Sequence, residues 1–259
     1  MTDDSQRILL DDELSPVAIV NPNGTSPYLL VGDHAGNVIP NALGQLGVSH
    51  DDLVRHIAWD IGTETLGRSL AHHLDAVFIR QVYSRLVIDC NRDPDAAGAM
   101  PAESDGTAIP GNIGLDDAAR RRRVAEIHEP YQAAIASALA PAHMLVSLHS
   151  FTPRMGGADR PWDIGILHAG HNDTLALRLL GWLEARSGLT IGNNEPYRMD
   201  GTDYTVPRHA FAAERPYVEL EVRQDLLADP VQNARMAALL AEGMSELAYR
   251  MQPGVRYDR

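Results

Sequence analysis

A four-residue apolar run, Tyr28–Val31, is bounded by Asn, Gly, Pro and Ser residues. Short runs that are apolar at every position are typical of strands buried on both faces of a parallel sheet. We expect this strand to end at Gly32, and Asp33 and His34 follow directly. Ligands of open α/β sheets bind beyond the carboxyl ends of the strands. The pair therefore suits a metal or substrate site, although a capping Asp and a surface His would give the same pattern.

Further apolar runs alternate with amphipathic segments along the chain. Strands are predicted at 17–20, 28–31, 76–79, 86–88, 144–148, 164–167 and 217–222. Helices are predicted at 49–70, with an interruption near Trp59–Thr63, and at 116–139, 172–186 and 230–249. Strands separated by helices favour an α/β fold with a mainly parallel sheet covered on both faces.

The chain is predicted to form one domain. Its 259 residues include 44% hydrophobic residues, which is enough to bury a substantial core without a disulfide or structural metal. No shift in composition marks a boundary, so the domain is expected to span 1–259. Residues 1–25 are interpreted as an extended lead-in and residues 93–115, rich in Asp, Gly, Pro and Ala, as a long loop.

The charge and cysteine content exclude several classes of function. A net charge of −13 argues against nucleic acid and anionic membranes as partners, although local cations would still allow an acidic substrate. The single cysteine, Cys90, excludes an internal disulfide and a Cys-rich zinc site. The acidic N-terminus lacks the basic and apolar regions of a signal peptide, and no apolar run is long enough to span a membrane. A cytoplasmic location is expected.

Histidines and carboxylates recur at the ends of predicted strands or on the helix that follows. They are His34, His56 with Asp60, His149, and the pair Glu219 and Glu221. His56 and Asp60 are four residues apart and would share one face of a helix. Catalytic zinc takes about three His or carboxylate ligands. Together these residues predict a metal site, whereas each one alone would also fit a structural histidine or a cap.

The segment Tyr83–Arg92 is the second stretch with candidate site residues. Arginine binds carboxylates through two parallel hydrogen bonds, and the adjacent Asn91 can complete such a cradle. Because Arg85 and Arg92 flank the predicted strand 86–88, they are expected at its opposite ends. Arg92 is then the better substrate residue and Arg85 a structural ion-pairing residue. Cys90 has no convincing base nearby and is not expected to act as a nucleophile.

Other common active sites fit the sequence poorly. Ser147 and Ser150 flank His149, but the chain has no Gly-x-Ser-x-Gly elbow of a serine hydrolase. It also lacks a Gly-rich phosphate loop. The run Arg120–Arg123 is interpreted as a solvated helix face. The pairs His72–His73 and His168/His171 are interpreted as surface residues or residues behind the site.

The combined motifs resemble those of the N-formylglutamate amidohydrolase family. The resemblance covers most of residues 28–226 in the expected order. It is carried by the segments Asp33–Pro40, His56–Asp60, Ser84–Arg92, Ser147–Phe151, Asn194–Tyr197 and Val218–Val222.

The resemblance implies a three-layer α/β/α fold like that of zinc-dependent exopeptidases and amidases. It further implies one catalytic zinc ion, or another divalent metal. His34 and His149 would be ligands of this metal. Asp60 would be the third ligand, with His56 as the fallback.

Roles in catalysis and substrate binding follow from the same resemblance. Glu221 would be the general base, with Glu219 as the less favoured choice. A donor such as Arg92 or His209 would stabilise the oxyanion. The residues expected to bind substrate are Asn91, Arg92, Tyr197, His209 and Arg223. A dicarboxylate substrate needs cations, which Arg92, Arg154, Arg198 or Arg223 could supply.

The predicted activity is removal of a short N-acyl group from an amino acid. The favoured substrate is N-formyl-L-glutamate, which would give formate and glutamate. The alternatives are another N-acyl amino acid amidohydrolase, or a peptidase or cell-wall amidase of the same fold. A metal-free carboxylate-binding protein is the non-enzyme alternative. The only expected partner is a small N-acyl amino acid, with no nucleic acid or membrane, and the oligomeric state stays open.

Overall fold

The computed structural model describes residues 7–251, so residues 1–6 of the predicted lead-in lie outside it. The strands are β1 (Val17–Val20), β2 (Tyr28–Gly32), β3 (Val77–Gln81), β4 (Glu103–Ser104), β5 (Thr107–Ala108), β6 (Met144–Phe151), β7 (Arg154–Met155), β8 (Ala158–Asp159), β9 (Ile164–Leu167), β10 (Ile191–Asn193) and β11 (Tyr217–Arg223). The α-helices are α1 (His50–Leu53), α2 (Thr63–Leu74), α3 (Asp117–Arg123), α4 (Glu129–Ala138), α5 (Thr174–Arg186), α6 (Asp225–Ala228) and α7 (Pro230–Arg250). Shorter helical turns are Asn41–Leu43, Ala97–Ala99, Pro110–Asn112, Val124–His128 and Pro207–Phe211.

Seven of the described strands form one sheet in the order β1-β3-β2-β6-β11-β9-β10. Within it, β3, β2, β6 and β11 are parallel to their neighbours in that series, and β10 is parallel to β9. The β1–β3 and β9–β11 pairs are antiparallel. The predicted mainly parallel sheet is confirmed. Because β2, β6 and β11 run in the same direction, their carboxyl ends meet at one edge of the sheet.

Hydrophobic side chains cover the two faces of the sheet separately. On one face Leu30 and Val146 join a cluster with residues of α2, α5 and α7. On the other face Leu29 and Leu145 pack with residues of α4 and of the turn before it. Neighbouring residues of a strand point to opposite faces, so fully apolar strands can serve both layers. The three-layer α/β/α architecture is therefore confirmed.

The predicted helix 49–70 is two helices separated by a long irregular segment. Helix α1 begins after Ser49, whose hydroxyl accepts a hydrogen bond from the Asp52 backbone N–H at 3.1 Å, as its capping sequence predicts. It ends at Leu53, and α2 begins only at Thr63. Residues 54–62 are therefore not helical, and the inference that His56 and Asp60 share a helix face was wrong.

The prediction of a strand at Leu86–Ile88 was also wrong. This segment is buried, but it forms an irregular turn rather than part of the sheet. The side chain of Asn112 donates to the carbonyl of Leu86 at 2.8 Å, and Arg123 donates to that of Val87 at 2.9 Å. Distant side chains satisfy these backbone groups in place of a neighbouring strand.

The remaining predicted elements are present with modest shifts, whereas the edge strand β10 and the short helix α6 were not predicted. Strand β6 continues to Phe151, so His149 lies within the strand and not after it. The predicted helix 116–139 is α3, a wider turn and α4 in succession. The loop 93–115 contains only short turns and the small β4–β5 hairpin. Within residues 7–251, no helix combines the length and apolar character needed to cross a membrane.

Candidate active site

A cavity of about 600 Å³ opens beyond the carboxyl ends of β2, β6 and β11. Along β6 and β11 the apolar pattern breaks mainly on one face, where Ser147, His149, Glu219 and Glu221 point towards the α4 side of the sheet. Ser150 is the polar exception on the opposite face of β6. The cavity is lined by most of the predicted site residues, namely His34, His56, Asp60, Asn91, Arg92, His149, Tyr197, Glu219 and Glu221.

Three of these residues form a buried group with the composition of a metal site. One ligand atom from each of His34, Asp60 and His149 lies within 4.8 Å of the other two. Asp60 Oδ2 is 3.4 Å from His34 Nδ1 and 2.9 Å from His149 Nδ1. The backbone N–H of Asp60 donates to the His34 carbonyl at 2.9 Å, which fixes the irregular segment 54–62 over the end of β2.

The other nitrogen of each imidazole is held by a carboxylate. His34 Nε2 lies 2.6 Å from Asp89 Oδ1. His149 Nε2 lies 3.4 Å from Asp33 Oδ2 and 3.0 Å from Ser147 Oγ. Metal-binding histidines usually donate their second N–H in this way, which directs the free nitrogen at the ion. His34 Nδ1 is buried and has no hydrogen-bond partner among the described residues. Two imidazoles and one carboxylate therefore fit a zinc-type ion.

Opposite charges balance one another in this group. Burial by itself would raise the pKa of Asp60, but the adjacent His34 and His149 hold it below its usual value. Burial would lower the pKa of His149, but hydrogen bonds to Asp33 and Asp60 raise it well above the usual value. Without a metal the site thus favours protonated imidazole, and a divalent cation would compete with these protons.

Glu219 and Glu221 are two buried carboxylates on the same face of β11. They pair in register with Ser147 and His149 of β6. Each has an Oε2 atom without a hydrogen-bond partner in the described part of the chain. Burial raises the pKa of Glu221 to about 7 and that of Glu219 well above its usual value. A carboxyl group with a pKa near 7 suits a general base better than one that stays protonated.

Arg85 lies in the candidate site, although its sequence context predicted only a structural ion pair. Its Nη2 lies 2.6 Å from Asp89 Oδ2, and its Nη1 lies 3.5 Å from Asp60 Oδ1. The expected ion pairing is present, but the partners are two acids of the candidate metal centre. Arg85 also lines the cavity. The motif offered a clue, because Arg85 and Asp89 occur four residues apart within it.

Asn91 and Arg92 hold the segment that follows Tyr197. Asn91 Oδ1 accepts hydrogen bonds from both backbone N–H groups of residues 204–205, each at 3.0 Å. Arg92 Nη1 donates to the Thr202 carbonyl at 2.9 Å and lies 3.5 Å from Asp203 Oδ1. Both residues line the cavity. Some of their hydrogen bonds, however, are made to the neighbouring segment 202–205 and hold that part of the cavity wall in place.

A chain of buried hydrogen bonds connects His209 to the candidate metal centre. His209 Nε2 lies 2.7 Å from Gln132 Oε1, and Gln132 Nε2 donates to Thr205 Oγ1 at 3.0 Å. The Thr205 hydroxyl donates to Asp33 Oδ1 at 2.6 Å, and Asp33 in turn faces His149. His209 is not among the described residues that line the cavity. Burial lowers its pKa to about 4.

Two further predicted residues lie away from the three candidate ligands. His56 lines the cavity, but its Nε2 faces Asp105 Oδ2 at 3.4 Å. Because residues 54–62 are not helical, His56 does not lie beside Asp60 at the candidate metal centre. Arg223 lies 3.0 Å from Asp163 and 2.8 Å from Asp225 and is not among the described lining residues. Its acidic neighbours draw the guanidinium away from the cavity.

Tyr197 contributes a half-exposed ring to the cavity wall. Its hydroxyl accepts a hydrogen bond from Arg160 at 2.8 Å, and the Arg160 guanidinium lies 4.7 Å from the ring centroid. The ring is therefore held in place from outside the cavity.

Comparisons with known proteins support an amidohydrolase relationship. A profile of the N-formylglutamate amidohydrolase family matches residues 26–228. The crystal structure of gene product Atu2144 from Agrobacterium tumefaciens is similar, with a TM-score of 0.90 and 35% identity over 95% of this chain and 100% of that one. The N-formylglutamate amidohydrolase from Ralstonia eutropha JMP134 shares the fold, with a TM-score of 0.67 and 19% identity over 93% and 100% of the two chains. A search of curated proteins found no match.

Proposed function

Because this chain belongs to the N-formylglutamate amidohydrolase family, we propose that it is a metal-dependent enzyme that converts N-formyl-L-glutamate to formate and glutamate. Family membership supports the coarser statement, hydrolysis of an amide bond. The proposal depends above all on one observation, the buried group of His34, Asp60 and His149 in the same cavity as Glu221.

The three candidate ligands would hold a zinc ion, or another divalent cation of similar preference. Such an ion polarises a carbonyl group and lowers the pKa of a water molecule to ~7. Asp89 and Asp33 would hold His34 and His149 in the orientation for binding, since each faces the second nitrogen of its histidine.

Glu221 would take a proton from the attacking water and return it to the departing nitrogen. Its pKa of about 7 suits both steps at neutral pH. The Arg85 guanidinium would donate to the amide oxygen as negative charge develops there. The remaining N–H groups of Arg92 would bind the substrate's α-carboxylate, because a guanidinium matches the two oxygens of a carboxylate. Glu219, whose pKa is raised further, would stay protonated.

The test measures formate release by purified protein that has been stripped of metal and then reloaded with zinc. We expect turnover of N-formyl-L-glutamate only after reloading, with about one zinc per chain by elemental analysis. The variant His149→Ala should lose both metal and turnover, whereas His73→Ala, an exposed histidine on α2, should keep both.

Three results would count against the proposal. Hydrolysis of other N-acyl amino acids without activity on N-formyl-L-glutamate would retain the reaction class and reject the substrate. Protein that binds no metal and hydrolyses no N-acyl amino acid would reject the enzyme itself. Ligand binding without metal or turnover would instead identify a carboxylate-binding protein.

A further inference from the structure

We propose that Arg198 binds the side-chain carboxylate of an acidic substrate and thereby sets the preference for glutamate. This inference rests on the proposed function and adds the residue that recognises the amino acid. It is based on the charges that line the cavity. Two of the three arginines there are paired with acidic side chains, and Arg198 is not paired with one within residues 7–251.

The cavity wall is rich in carboxylates. The acidic lining residues are Asp60, Asp89, Asp105, Asp200, Asp203, Glu219 and Glu221, whereas the arginines are Arg85, Arg92 and Arg198. The whole chain also has a net charge of −13. A substrate with two carboxylates would meet repulsion here unless cations without acidic partners compensate for it. One divalent metal and one arginine for the α-carboxylate leave the second carboxylate without a partner.

Two of the three arginines are already paired with acids. Arg85 lies between Asp89 and Asp60, at 2.6 and 3.5 Å. Arg92 uses Nη1 for Asp203 and a backbone carbonyl, which leaves its other N–H groups for one carboxylate. Neither arginine offers a complete guanidinium to a second anionic group.

Arg198 differs from both. It lines the cavity and is exposed, and no hydrogen bond or ion pair joins it to any other residue within 7–251. It follows Tyr197, whose ring is fixed by the Arg160 guanidinium 4.7 Å from its centroid. A firmly held neighbour limits where the Arg198 backbone can go, while the side chain keeps both guanidinium edges for a ligand.

Three other arginines, Arg154, Arg160 and Arg223, are excluded by their contacts. Arg154 lies 3.6 Å from Asp159 and donates to the Gly157 carbonyl within the exposed β7–β8 hairpin. Arg160 donates to the Tyr197 hydroxyl. Arg223, which the sequence analysis favoured, is paired with two acids. None of these three is among the described lining residues.

The experiment compares N-formyl-L-glutamate with N-formyl-L-glutamine, which has the same shape without the second charge. In Arg198→Gln, the KM for N-formyl-L-glutamate should rise about 10- to 100-fold, the range expected for loss of a charge-assisted hydrogen bond. The KM for N-formyl-L-glutamine and both kcat values should change little. Arg154→Gln is the matched control, because it removes an exposed arginine outside the cavity.

Two additional variants test the role of charge directly. Arg198→Lys keeps the charge but loses the planar donor pair and should recover part of the affinity. Arg198→Glu should weaken the binding of N-formyl-L-glutamate further, and the variant should prefer N-formyl-L-lysine as substrate.

The possible failures are distinguishable. If zinc-loaded wild-type protein releases no formate from either substrate, the proposed function falls and this inference falls with it. If the enzyme is active but Arg198→Gln raises both KM values equally, or neither, the function stands and Arg198 is not the specificity residue. Wild-type enzyme that hydrolyses the two substrates equally well would overturn the inference in the same way.

Discussion

Glu221 has properties that depend almost entirely on its surroundings. It is only 7% exposed, and burial raises its pKa from 4.5 to about 7. A carboxylate in water could not accept and return a proton efficiently at neutral pH. The same burial has an energetic cost, since the folded state must accommodate a charge above pH 7.

The first residue-scale prediction concerns Glu221→Gln. We expect the zinc-loaded variant to keep its metal and lose about 10²–10⁴-fold in kcat, measured by formate release. In metal-free protein, the folded-state pKa lies above the unfolded one, so the stabilising contribution of Glu221 is complete below about pH 4.5 and is lost as the pH rises through about 7.

The variant should therefore gain stability relative to wild type as the pH rises, by roughly 3 kcal/mol over the full range. Urea unfolding in the presence of a chelator, at several pH values from about 4.5 to 8, measures the difference. A difference that does not change with pH would contradict this prediction.

The second residue-scale prediction concerns Thr205, whose hydroxyl orients Asp33 behind His149. Thr205→Val removes the donor with little change in shape and should weaken metal binding about 10- to 100-fold. Competition with a chromophoric chelator measures the affinity. Thr205→Ser should retain the wild-type value, and Thr190→Val serves as control, because Thr190 is exposed and is not among the described residues that line the cavity. Equal affinity in Thr205→Val and wild type would show that Asp33 needs no such support.

At the scale of elements, the irregular segment 54–62 brings Asp60 to the candidate metal centre. It ends at Gly62, which has a φ of +84° and precedes α2. A Cβ atom at this position would lie 2.4 Å from the Cβ of Leu227. Both the backbone conformation and the available space therefore require glycine.

Gly62→Ala should destabilise the protein through strain and steric overlap together. Positive φ costs an alanine roughly 1–2 kcal/mol, and the overlap adds about 1–3 kcal/mol. Gly188→Ala is the control, because Gly188 has a φ of +68° with no atom within 4 Å of the added Cβ. Urea unfolding should give the larger loss for Gly62→Ala, which should also bind metal more weakly because Asp60 moves. Equal losses of stability in Gly62→Ala and Gly188→Ala would mean that Leu227 moves aside without an energetic cost.

At the scale of the whole molecule, the two faces of the sheet differ. One face is apolar and stabilises the fold, and the other also carries polar residues of the candidate site. The α2, α5 and α7 side carries a continuous apolar cluster. The opposite side is apolar over much of the sheet but carries Ser147, His149, Glu219 and Glu221 at the carboxyl ends of β6 and β11. The apolar face can stabilise the fold without the metal, so buried polar groups are tolerated where the site needs them.

Much of the fold was determined by local sequence patterns. Strands such as Tyr28–Val31 and the amphipathic α7 were predictable because periodicity and capping act over a few residues. The motif residues also identified His34, Asp60 and His149 as candidates. Their roles in metal binding and catalysis stay predictions until a metal is measured.

Tertiary contacts decided the rest. Leu86–Ile88 looks like a strand but is a turn, because Asn112 and Arg123 bind its carbonyl oxygens from more than twenty positions away. Likewise, the sequence favoured Asp60 as the third ligand but kept His56 as a fallback. Only the folded structure separates them, because the Asp60 backbone N–H donates to the His34 carbonyl and brings Asp60 to the candidate metal centre.

The sequence by itself thus determined which strands are buried and which chemical groups they carry, because side-chain alternation is a local property. It did not determine which arginine keeps a free guanidinium, since Arg85, Arg92 and Arg223 are paired with acids that only folding brings near. Ion pairs depend on distances of a few ångströms between residues far apart in the chain, and those distances exist only in the folded structure.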